Sequence, residues 1–176
     1  NATLEESFQR VVEINEICKH SNKKLVVYLS MGFGNPYGDP WNISILDHWV
    51  EQLVSLDISI LSLSDTVGVS TPYNIRYIFD YFSEKYPELD IGVHLHSKPN
   101  AVLDKIDAAW SCGCRRFDGA LRGFGGCPFA KDDLTGNLAT ESILNFIRSK
   151  GEHMQINALA LSDAMQMADA IFTTYH

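Results

Sequence analysis

A thiol, an amide and a carboxylate crowd one glycine-rich segment of this chain. It reads Gly123-Phe124-Gly125-Gly126-Cys127-Pro128-Phe129-Ala130, followed by Gly136-Asn137-Leu138-Ala139-Thr140-Glu141. Glycine lets backbone come close to a ligand, so Gly125 and Gly126 are expected as substrate-binding support. Cys127 stands beside a proline that donates no backbone hydrogen bond, in a loop where a thiol is exposed enough to react. A small buried hydrophobe is the competing use of a free cysteine. Val93-His94-Leu95-His96 offers different chemistry. Residues two apart on a strand share a face, so both imidazoles can reach one ion, whereas capping the sheet or bonding a carbonyl is the alternative. The Asn137 amide oxygen could complete the set, and a mixed nitrogen and oxygen site with waters suits magnesium or manganese better than a closed zinc site. Asp65 follows Leu63-Ser64 and opens Asp65-Thr66-Val67-Gly68. It is a candidate catalytic residue that could contact a substrate or orient a ligand, and it could equally cap its own loop through backbone amides. Glu141 falls early in a predicted helix, where the dipole favours a carboxylate in any case.

These residues need elements to hold them at one end of a sheet. Leu4, Phe8, Val11, Val12, Ile14 and Ile17 recur mostly at helical spacing and predict a helix over 4–20, with Thr3 as its cap. A β-branched and aromatic run over 24–31 predicts a buried strand that ends in a Gly/Pro loop. The pattern then repeats: helix 43–56, strand 58–64, helix 72–85 opening on Pro72, strand 91–96, helix 100–111 and strand 116–121. Four strands alternating with helices imply an α/β protein with a parallel sheet buried on both faces. The unusual polar residues follow strand ends, as in an open doubly wound sheet or a (β/α)₈ barrel. No GxGxxG follows a strand, so the dinucleotide-binding version has no support. A complete barrel takes about 250 residues, so 176 residues hold roughly half of one.

Composition narrows the function classes. A formal charge of -8 and a pI near 5.1 leave no basic excess for nucleic acid or an anionic membrane. Local cations near the motifs, among them Lys98, Arg115, Arg116 and Arg122, suit a small phosphorylated ligand or plain solvation. Four irregularly placed cysteines do not make a disulfide framework, and Cys112-Gly113-Cys114 lacks the second pair of a structural zinc site. Reduced thiols fit a cytoplasmic protein, with the mitochondrial matrix left open. No run approaches the roughly 20 apolar residues that span a bilayer, and the N-terminus has no signal-peptide pattern.

Four stretches, Leu63-Ser64-Asp65-Thr66-Val67-Gly68, His94-Leu95-His96, Gly123-Phe124-Gly125-Gly126-Cys127-Pro128 and Gly136-Asn137-Leu138-Ala139-Thr140-Glu141, resemble in order and placement the 3-hydroxy-3-methylglutaryl-CoA lyase family. The resemblance implies the C-terminal portion of a (β/α)₈ TIM barrel that acts on an acyl-CoA, with a divalent metal, magnesium or manganese, and a homo-oligomeric, dimeric assembly. It implies His94, His96 and Asn137 as metal ligands, Cys127 as a loop cysteine assisting proton transfer, and Asp65 and Glu141 as polar support. His94 is also a candidate for proton transfer. The implied reaction is a retro-aldol-type cleavage to acetyl-CoA and acetoacetate. The family's first strand carries an aspartate ligand beside an arginine, and neither falls within these residues, so a fragment of a longer polypeptide is expected. Ser97 stands where the family has an acidic residue, and Lys131-Asp132-Asp133 lengthen the loop. Two other readings are an aldolase or condensing synthase of the same superfamily acting on a 2-oxo acid, and a non-catalytic half-barrel. The cysteine loop argues against the first; exposed sheet edges and self-association would mark the second.

Overall fold

Local chemistry starts each helix. In this computed structural model, which describes residues 2–126 and 135–172, α1 (Leu4–His20) opens on a capping box: Thr3 Oγ1 accepts from the Glu6 amide at 3.1 Å and Glu6 Oε2 accepts from the Thr3 amide at 2.9 Å. Asn42 caps α2 (Ile43–Val54) in the simpler way. Thr71 and Asn74 form a second box around Pro72 at the start of α3 (Pro72–Lys85).

Between these helices run β1 (Val27–Leu29), β2 (Ile60–Ser64) and β3 (Asp90–His94), a parallel sheet in the order β1-β2-β3. Tyr28 pairs with Ser62 and Ser62 with Gly92, so the polar and small residues share one face of the sheet. The alternate residues Leu61, Leu63 and Val93 are buried on the other face, with Val50 and Leu53 of α2 and Ile75, Ile78 and Phe82 of α3 in the same core. Each such side chain contributes about 1.5–3 kcal/mol relative to leaving it in water. A 3-10 turn (Pro99–Ala101) leads into α4 (Val102–Ser111), which adds Ile106 and Ala109 to that core. Beyond it come β4 (His96–Ser97) and β5 (Gly136–Asn137), paired antiparallel, then α5 (Thr140–Ser149) and α6 (Ala158–Phe172).

The architecture is the expected α/β partial barrel with parallel strands, and three details differ from the sequence reading. The predicted first strand is three residues long and not buried, with Tyr28 49% exposed, because β2 is its only sheet partner among the described residues. The fourth strand, expected over 116–121, shrinks to two parallel bridges, Phe117 to Val93 and Ala120 to Ala139. It changes partner between them and then enters a 3-10 turn (Leu121–Gly123), so no continuous ladder forms. The third strand ends at His94, and His96 pairs with Asn137 instead. The two histidines therefore lie on different ladders.

Candidate metal and substrate site at the strand ends

Asp65 follows the last residue of β2, and its carboxylate turns inward. Oδ1 accepts from the Val69 amide at 2.8 Å, and Oδ2 accepts from the Ser70 amide at 3.0 Å and the Ser70 hydroxyl at 2.5 Å. Lys105 Nζ, from α4, lies 3.2 Å from the same Oδ2 and donates to the His96 carbonyl at 2.7 Å. Asp65 is 1% exposed and Lys105 5%. Burial pushes the Lys105 ammonium down and the Asp65 carboxylate pulls it back up. Of the readings open for Asp65, the geometry is that of the loop cap, with its carboxylate engaged by Val69, Ser70 and Lys105.

The Asp65 backbone carbonyl faces His96, whose Nδ1 lies 2.8 Å away. A carbonyl only accepts, so in the neutral ring Nδ1 carries the proton and Nε2 has the lone pair. The His94 ring stands edge-on to it, with centroids 5.1 Å apart and planes at 86°. His94 Nδ1 lies 3.5 Å from Asp118 Oδ2. Burial first, then the neighbouring His96, hold the His94 imidazole below its usual pKa, while Asp118 acts in the opposite direction. The neutral, ligating form is favoured.

Asn137 enters the site through the β4–β5 pairing, directly opposite His96. Its Nδ2 donates to the Phe124 carbonyl at 2.9 Å and its backbone amide to the Gly125 carbonyl at 3.2 Å. The amide nitrogen faces the loop, and the amide oxygen is the atom with a lone pair to offer. Gly125 adopts φ 83°, which disfavours a side chain, and an added Cβ there would sit a tight 3.1 Å from Asn137 Nδ2; one on Gly126 would sit 2.9 Å from the Thr135 carbonyl oxygen. Close packing on residues 135–137 thus accounts for both glycines. Glu141 Oε2 accepts from the Arg122 amide at 3.1 Å, where Arg122 has φ 60°. The Arg122 guanidinium reaches Asp169 of α6 at 2.8 Å. Glu141 therefore steadies the root of the glycine segment. Cys127 lies outside the described residues.

Among the described residues, no three His, Cys, Asp or Glu side chains form a cation site. Two imidazoles and one amide oxygen are nonetheless donor types that fit part of an octahedral oxygen and nitrogen shell. Cys112 and Cys114 do not: burial pushes their thiols up to about 11 and about 12, so both stay protonated. Sequence reasoning passed over Lys105, Asp118 and Tyr28, whose hydroxyl donates to Asp118 at 2.8 Å. Lys105 had a readable signal, since it shares a helix face with Val102 and Ala109.

A parallel sheet flanked by helices, with polar side chains converging beyond the strand carboxyl ends, has the architecture of a (β/α)-barrel protein. Residues 1–169 match the HMGL-like family, and the chain belongs to it. The mitochondrial hydroxymethylglutaryl-CoA lyase of Mus musculus is 29% identical over 164 residues, 93% of this chain and 50% of that protein. Hydroxymethylglutaryl-CoA lyase YngG of Bacillus subtilis is 32% identical over 144 residues, 82% and 48% respectively. A cytoplasmic 3-hydroxy-3-methylglutaryl-CoA lyase of Homo sapiens is 28% identical over 164 residues, 93% of this chain and 44% of that protein. The crystal structure of the Bacillus subtilis HMG-CoA lyase superposes with a TM-score of 0.88 at 28% identity, over 97% of this chain and 57% of that one. An Acinetobacter baumannii HMG-CoA lyase in complex with coenzyme A and 3-methylmalate superposes at 0.82 and 29% identity, over 96% and 55%. The chain spans about half the length of the curated relatives it matches.

Proposed function

We propose that the polypeptide to which this chain contributes half a barrel is a carbon–carbon lyase that cleaves 3-hydroxy-3-methylglutaryl-CoA to acetyl-CoA and acetoacetate. The observation that carries this reading is the pair His94 and His96, each with its Nδ1 turned to an acceptor, next to Asn137 at the strand ends of an HMGL-like chain. His94, His96 and Asn137 would hold a divalent cation, magnesium or manganese. When bound, such an ion supplies Lewis acidity for the tertiary hydroxyl and a neighbouring oxygen of the substrate. A base takes the hydroxyl proton, the bond between the carbinol carbon and the thioester's α-carbon breaks, and its electron pair passes into the acetyl-CoA enolate. An acid then protonates that carbon, and the carbinol carbon becomes the ketone of acetoacetate. Cys127 is assigned to this proton transfer. A ligated imidazole is a poor free base, so His94 serves mainly to bind. Asp65 and Lys105 keep His96 in place from behind, and Glu141 with Gly125 and Gly126 keeps the loop root against Asn137.

Acyl-CoA is the substrate class in this reading, supported by the ligands named for the Acinetobacter baumannii relative. Relatives carry both mitochondrial and cytoplasmic names, and no helix among the described residues is long and apolar enough to cross a membrane. We assign the protein to the cytoplasm or the mitochondrial matrix.

The test is acetoacetate formation by the full-length polypeptide with Mn²⁺. The His96→Ala variant is expected to lose Mn²⁺ and to slow on the order of 100-fold or more, given the several kcal/mol such an ion supplies. Cys127→Ala is expected to keep Mn²⁺ and still turn over slowly. Full activity of His96→Ala in the presence of a chelator would reject the metal role, and unchanged kinetics in Cys127→Ala would reject the proton-transfer role.

A further inference from the structure

An imidazole that binds a cation through Nε2 must keep its proton on Nδ1 and its ring at a fixed angle, and the group facing Nδ1 sets both. For His96 that group is the Asp65 carbonyl, 2.8 Å away. For His94 it is a carboxylate from the neighbouring segment. Val93 and Phe117 form a parallel bridge, and His94 and Asp118 each follow it by one residue, which sets them side by side. Asp118 Oδ2 lies 3.5 Å from His94 Nδ1. The same oxygen accepts a 2.8 Å hydrogen bond from the Tyr28 hydroxyl on β1. The Tyr28 ring in turn stands edge-on to His94, with centroids 6.2 Å apart and planes at 75°. Two segments distant in sequence, β1 and the one that carries Asp118, thus converge on one imidazole. The Asp118 side chain is only 28% exposed, so its carboxylate is partly withdrawn from water and interacts more strongly than a surface group would.

We propose that Asp118 and Tyr28 are positioning residues for His94. The carboxylate holds the Nδ1–H tautomer and presents the Nε2 lone pair; the phenol holds the carboxylate. The inference rests on the reading of His94 as a metal ligand and adds two residues to it. Arrangements in which a ligating histidine gives its second ring proton to a carboxylate typically lose 10–100-fold in metal affinity when the carboxylate is removed.

The test is a long-range proton–nitrogen correlation spectrum of the imidazoles in the full-length, metal-free polypeptide, with Mn²⁺ affinity measured alongside by electron paramagnetic resonance. His94 is expected as the Nδ1–H tautomer in the unmodified protein and in Asp118→Asn, whose amide oxygen still accepts. Asp118→Leu should move it to Nε2–H or a mixture and weaken Mn²⁺ by about 10-fold or more. Tyr28→Phe should shift the tautomer population part of the way. His96 keeps its tautomer in every variant, because a backbone carbonyl holds it, and that constancy separates positioning from general loosening. An Nε2–H tautomer for His94 in the unmodified protein, or an unchanged tautomer in Asp118→Leu, overturns the proposal. If the unmodified protein fails to hold Mn²⁺ while the tautomers respond as stated, the metal reading falls and the hold of Asp118 on His94 stands.

Discussion

Lys105 closes a ring of contacts that no single residue could make. Its ammonium touches the Asp65 carboxylate and the His96 carbonyl, while the Asp65 carbonyl receives the His96 imidazole. Removing one member of a buried ion pair leaves the other charge without compensation and costs about 3 kcal/mol or more. Lys105→Met is therefore expected to lower stability by about 3 kcal/mol in urea denaturation, and the double variant Asp65→Asn with Lys105→Met to recover part of it. Equal midpoints for Lys105→Met and the unmodified protein would show the pair to be inert. At this scale the histidines, Asn137 and Asp65 were legible, because residue type and strand-end position suffice to mark them. The direction in which the Asp65 carboxylate points was not: substrate contact and loop capping use the same residue at the same place, and only Val69, Ser70 and Lys105 around it decide between them.

Strand β3 shows what an element must give up to carry the site. Gly92 sits on the same face as Tyr28 and Ser62, and the Arg116 side chain fills the space a larger residue would take. An added Cβ at Gly92 would lie 2.7 Å from Arg116 Cζ and 2.9 Å from the Arg116 carbonyl oxygen. The guanidinium meanwhile bonds the Leu61 and Asp90 carbonyls, tying β2, β3 and the 116–120 segment together. Gly92→Ala is expected to destabilise by about 1–3 kcal/mol through overpacking, read as a lower urea midpoint. Adding Arg116→Ala should relieve only part of this, since one of the close atoms is backbone; complete recovery would point to the side chain alone. Helix limits were legible because caps and proline act locally: the 4–20 and 72–85 helices end where expected. The 116–121 strand was not, because its hydrogen bonds pass from Val93 to Leu138 within a few residues, a change of partner that local pattern does not encode.

The whole molecule presents apolar side chains that its own core does not use. Leu4, Ile14 and Ile17 on α1 and Leu159, Met167 and Ile171 on α6 are all exposed, and β1 has one sheet neighbour among the described residues. Such a surface favours association, either strand to strand or face to face. The chain by itself is expected to sediment as a dimer or larger species at the upper end of a dilution series. A monomer across that concentration range, by sedimentation velocity, would rule out association through these faces. The same property bears on the homo-oligomer expected from the family resemblance.

Residue type, alternation and spacing by themselves determined the α/β class, the parallel sheet and the strand-end placement of the candidate site, and the resemblance of four motifs pointed to the family that the match over residues 1–169 shows. Those features arise from local periodicity and short motifs, which a chain carries in one dimension. Tertiary structure alone decided that His94 and His96 belong to different ladders, that Asp65 faces Lys105, and that Asp118 and Tyr28 stand behind His94. Each of those contacts except the first joins residues at least 24 positions apart, and the first depends on Asn137, 41 positions from His96. Long-range pairing of that kind is set by how strands register and helices pack, so no reading of neighbours along the chain could supply it.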